Sequence, residues 1–142
     1  MAAAGSVAVQ PGCACGLVDA IGGATLEFPG APAGTYRLEV EAEAEVVAVE
    51  VTWRDGACAP VVADGARVHL EGCSTWGGTT ELSLLVSDPD LETGPRAVTV
   101  RVFRDGALIA TAQPALRYHD VDPNGAFCDP HVEQARAAIA LP

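Results

Sequence analysis

The chain has 142 residues, of which 49% are apolar and 5% aromatic, with 15 Gly, 10 Pro, 5 Cys and a formal net charge of -11. This length supplies one domain with a real core, and the apolar share excludes long disorder. All the basic residues are Arg, which removes lysine-based nucleophiles and phosphate loops, and the acidic excess disfavours nucleic acid and anionic membrane surfaces as partners.

The start, MAAAGSVAVQPGC, has no basic segment leading into a long apolar stretch, and Gln10-Pro11-Gly12 before Cys13 is not a lipoprotein cleavage site. Two expectations follow: a protein that stays where it is made, or a mature domain with an added Met1. Five cysteines favour the second, because disulfides persist in oxidising compartments. No apolar run is long enough to span a bilayer, so no membrane insertion is expected. Residues 1–23 lack a sustained period and read as an irregular N-terminal arm on a domain covering 24–142.

From Ala24 the pattern has period two, the mark of half-buried strands. Tyr36, Leu38, Val40 and Ala42 alternate with Arg37, Glu39, Glu41 and Glu43, and Val47, Val49, Val51 and Trp53 alternate with Ala48, Glu50, Thr52 and Arg54. Asp55-Gly56 then signals a tight turn with positive φ at both positions. Further strands are expected at Ala66–Glu71, Thr79–Ser87, Ala97–Arg104, Ala107–Ala112 and Leu116–Val121, with a final edge strand in Val132–Leu141. The large core pieces are Phe28, Tyr36, Trp53, Trp76, Phe103, Tyr118 and Phe127. Arg-Asp-Gly-Ala occurs at Arg54 and again at Arg104, but Trp53 shares the parity of its strand and Phe103 does not, so shared turn chemistry explains the repeat better than duplication. Short strands at this spacing predict an all-β, immunoglobulin-like, two-sheet antiparallel sandwich, with a closed small barrel as the runner-up.

Cys58 and Cys73 flank one expected strand, each beside a turn, and are expected to form a disulfide. Cys13, Cys15 and Cys128 remain; one bond from Cys128 to Cys13 or Cys15 would tie the arm to the C-terminal segment. Alternatively, these three with His131 would make a zinc site, although Cys-x-Cys is off the usual spacing. Asp120, Asp122, Asn124 and Gly125 open like a calcium loop, but His131 stands where such a loop needs a bidentate Glu. Asp88, Asp90 and Glu92 are a poorer second candidate. Glu39, Glu41, Glu43 and Glu45 form a carboxylate comb, read as a solvated face, with an acidic docking surface as the alternative. His69 falls on the polar parity of its strand and is expected to face solvent. No nucleophile elbow, phosphate loop or zinc-protease helix occurs in the sequence, so no catalytic, cofactor or metal residue is assigned.

The run VTVRVFRDGALIATA (Val98–Ala112), then Tyr118, then Pro123-Asn124-Gly125-x-x-Cys128-x-Pro130, then Ala135 and an apolar ending, resembles a group of small immunoglobulin-like secreted proteins and lipoproteins of GC-rich bacteria, whose ends run PNGxxCxPxC. PAGTYRLEVEAEA, from Pro32 to Ala44, is similar to their early strand. The chain departs from them at His131, where their second cysteine stands, and in starting without their signal peptide. The resemblance implies a fold and a compartment rather than a reaction, and it leaves Cys128 to find its partner elsewhere. The expected function is a non-catalytic, extracytoplasmic structural or protein-binding module, acting through a protein partner or self-association. The alternatives are a subunit of a large assembly made in the cytoplasm (capsid, sheath or filament), a metal-binding domain and, third, an enzyme.

Overall fold

The computed structural model of the chain describes residues 19–74 and 80–142. Alternating side chains give one wet and one dry face to each of the longer strands, and two such sheets close on each other. The elements in chain order are β1 (Gly23–Phe28), β2 (Gly34–Ala42), β3 (Glu45–Trp53), β4 (Val61–Asp64), β5 (His69–Gly72), β6 (Leu82–Ser87), β7 (Thr99–Arg104), β8 (Ala107–Ala112), β9 (His119–Val121) and β10 (Val132–Ala138). One sheet has six strands in the order β9-β10-β1-β6-β5-β4, and the other has four in the order β3-β2-β7-β8. The described residues form an all-β, two-sheet structure without helix, not a closed barrel.

The core lies between the sheets. Ala24, Leu26, Phe28, Leu70, Leu82, Leu84 and Val86 meet Tyr36, Leu38, Val40, Val100 and Val102, all fully buried. Each such Leu, Val or Phe removed from water contributes about 1.5–3 kcal/mol. The two buried aromatics with polar tips are satisfied by one short connection: Tyr36 Oη donates to Pro32 O at 2.6 Å, and Trp53 Nε1 donates to Ala31 O at 3.1 Å.

Several expectations are corrected. The sandwich is not antiparallel throughout, because β10 runs parallel to β1, with Gln134 opposite Gly23 and Ala138 opposite Glu27. Nor is β10 an edge: β9 pairs along its other side. The strand expected at Ala66–Glu71 is β5, starting only at His69, and β4 before it was not anticipated. Thr79 and Trp76 lie outside the described residues; the strand expected at Thr79–Ser87 is seen as Leu82–Ser87, and that at Leu116–Val121 contracts to His119–Val121. Phe127 is 79% exposed rather than a core piece.

The carboxylate comb breaks at a turn. Glu43 and Ala44 have φ of 53° and 61° and form the two-residue link between β2 and β3, so Glu45 belongs to the next strand. Glu39 and Glu41 stay on the outer face, where Arg101 reaches both, at 3.4 and 3.0 Å. His69 keeps the outward parity expected of it, opposite to buried Leu70, but is half-buried: its side chain is 14% exposed and its Nδ1 is hydrogen-bonded to Asp64, its cross-strand neighbour.

Candidate functional site

Two surface regions stand out, an unguarded strand edge and a groove at one end of the sandwich. The edge is β8, one of the two outer strands of the four-stranded sheet, with sequence ALIATA and no charged residue. Its residues are exposed or half-buried, and Leu108 is 55% exposed on the outer face beside Phe103. A bulge leaves Ile109 without a residue opposite, after which Ala110–Ala112 pair residue for residue with Val102–Val100. The other edges are guarded. β9 has three residues, one of them Asp120; β4 has four, ending at Asp64. β3 carries Glu50 and Glu45, and Glu45 clasps the 65–68 loop by accepting from the amides of Ala66 (2.7 Å), Arg67 (3.0 Å) and Val68 (2.9 Å). Those donors, led by Arg67 N–H, hold the Glu45 carboxyl below its ordinary pKa.

The groove lies where β1 begins, β6 ends and β10 begins. Asp19, Ala20 and Ile21 form one wall, Asp90, Leu91 and Glu92 another, and residues 129–132 a third, around a cavity of about 700 Å³. The walls are fastened by main-chain bonds: Gly22 N donates to Leu91 O at 2.6 Å and Glu133 N to Glu92 O at 2.8 Å. A Cβ at Gly22 would run into the Glu92 carbonyl, so only glycine permits this approach. The buried Ser87 hydroxyl lies 2.7 Å from Gly22 O and 2.9 Å from Thr93 O, linking the same segments from below.

Beside the groove, Arg96 donates to Glu133 at 2.8 Å and lies 4.2 Å from the centroid of the Tyr118 ring, whose hydroxyl donates to Pro95 O. The Arg96 bond, then that from Thr93, holds Glu133 below its ordinary pKa, and burial pushes Tyr118 up to about 12. No spacing in the sequence joins Arg96, Tyr118 and Glu133, since they come from distant segments.

Several of the cation candidates have partners of their own, and they do not converge on one ion. Asp120 sits on β9 opposite Glu133, Asp122 accepts from His131 Nδ1 at 2.7 Å, and Asn124 donates to Asp129 O at 2.9 Å. Asp88 Oδ1 is taken by the Glu92 amide at 2.9 Å. Among the described residues no three His, Cys, Asp or Glu side chains are grouped to hold a metal ion. The Asp122 bond comes first, and Asp129 adds to it, in raising the His131 pKa above its ordinary value of 6.5. Cys58 and Cys73 are disulfide-bonded, with Cα atoms 5.9 Å apart. Cys128 is 2% exposed and disulfide-bonded, which removes its sulfur from thiolate chemistry. Cys13 and Cys15, its expected partners, lie outside the described residues.

Comparison of the chain with family models, with curated proteins and with solved structures found no match.

Proposed function

We propose that the chain is a non-catalytic, extracytoplasmic, immunoglobulin-like module that works by presenting a sheet edge to a strand of another macromolecule. The observation that carries this reading is β8, the one edge among the described strands with no charge, no proline and an exposed Leu108. Edges of this kind pair with further strands unless something guards them. Where the partner is a second copy, the same edge joins two four-stranded sheets into one, and a self-assembling structural role follows.

Strand order supports the immunoglobulin-like part. β3-β2-β7-β8 has the order C′-C-F-G, and β1-β6-β5 has the order B-E-D, with β10 where a first strand would lie. The resemblance of the Pro123 to Pro130 element to small secreted bacterial proteins agrees with it. The disulfide is compatible with an oxidising compartment, and no helix among the described residues is long and apolar enough to cross a membrane. Light scattering at micromolar concentration tests the reading: an oligomer or a stable complex with a co-purifying partner is expected. A strictly monomeric protein that turns over a small substrate would overturn it.

A further inference from the structure

Resting on the reading of β8 as a presented edge, we infer that its occupant is a second copy of this chain, paired antiparallel about a two-fold axis that passes between Ile109 and Ala110. The bulge carries the argument. Ile109, Ala110 and Ala112 pack against the core, and Ala107 stands on the row of buried Tyr36, opposite Arg104. Leu108 and Thr111 point the other way. Leu108 is 55% exposed opposite Phe103, and Thr111 is exposed opposite Arg101, whose guanidinium reaches Glu39 and Glu41 on the outer face. From Ala107 to Ala112 the side chains therefore run in-out-in-in-out-in, the same from either end.

A regular strand alternates strictly, so laid along β8 it matches inner to inner and outer to outer on only one side of the bulge. A second copy carries the same slip. Run antiparallel, it sets its own Thr111 opposite Leu108, its Ala110 opposite Ile109 and its Ala112 opposite Ala107, and every pair agrees in face. The bulge thus disfavours ordinary strands and admits a strand with the same irregularity. Charge agrees with this occupant. The strands of the four-stranded sheet carry Arg37, Arg101 and Arg104 against Glu39, Glu41, Glu45 and Glu50, close to neutrality, so most of the net charge of -11 lies away from the joint. Two copies joined here make one continuous sheet through an isologous contact, which closes at the dimer.

Cysteine cross-linking of the full chain tests the register. Residues directly opposite in antiparallel strands have Cα atoms about 4.5–5.5 Å apart, within disulfide reach, whereas Leu108 of one copy lies three positions, about 10 Å, from Leu108 of the other. Leu108→Cys/Thr111→Cys, oxidised in air at micromolar concentration, is expected to run as a reducible covalent dimer. Leu108→Cys alone and Thr111→Cys alone should give no covalent dimer beyond that of the wild type. A wild type that scatters as an oligomer while the double variant fails to cross-link, or while either single variant does, would overturn the inference and leave edge presentation standing. A different protein found on β8 would do the same. A wild type that is monomeric and without any partner would overturn both.

Discussion

Glu45 and His131 use the same device, a side chain closing a loop, with opposite charge. Glu45 ties the 65–68 loop to β3 through three amides. Its pKa is lowered on folding, so its contribution is present above the unfolded value and is lost as pH falls through the folded one. Glu45→Ala is therefore expected to speed amide exchange at Ala66, Arg67 and Val68 selectively, as hydrogen exchange would report. His131 is the reverse case: its raised pKa means that its contribution is full below the unfolded value and is lost as pH rises through the folded one. An NMR titration should place its midpoint above 6.5, and Asp122→Asn should bring it down. Neither role was legible. Glu45 stands at even spacing behind Glu39, Glu41 and Glu43, and only the turn at Glu43 and Ala44 moves it to another strand. His131 occupies a cysteine position of the resembling proteins, and its carboxylate partner is nine residues away.

At the scale of elements, the turns show where sequence pattern is informative. Asp55-Gly56 and Asp105-Gly106 both adopt positive φ, at 55° and 71° and at 50° and 87°, as their chemistry demands. Glu43-Ala44 takes the same shape without the residues that favour it, because β2 and β3 pair over nine positions and fix a two-residue link. A left-handed conformation costs alanine roughly 1 kcal/mol, so Ala44→Gly should stabilise the protein by about that amount in chemical denaturation. Period-two alternation located β2, β3 and β7 well. It could not locate β4, which at four residues is too short to show a period, and it placed the start of β9, which has only three residues, too early. The parallel β1–β10 pairing joins the two ends of the domain, and neither segment records its neighbour in its own sequence.

For the whole molecule, the Cys58–Cys73 disulfide ties the crossover between sheets: Cys58 follows β3 of one sheet and Cys73 follows β5 of the other. Closing a loop of 15 residues restrains the unfolded chain by about 3 kcal/mol. Cys58→Ser/Cys73→Ser should lose stability of that order in equilibrium unfolding. This bond was legible because both cysteines lie beside turns that bound one short excursion of the chain, although that excursion holds two strands, β4 and β5, where one was expected, whereas the groove was not, being built from three segments that the fold alone brings together.

Edge presentation by β8 is the claim on which the functional account rests, and particle mass with and without a charged edge tests it most directly. Light scattering of the wild type at micromolar concentration is predicted to give a mass above the 14.5 kDa of one chain, alone or with a co-purifying partner. Leu108→Lys/Thr111→Lys, which adds two lysines to exposed positions of β8, is predicted to return it to 14.5 kDa with an unchanged melting temperature. A wild type that stays at 14.5 kDa, or a charged-edge variant that keeps the larger mass, would contradict the account.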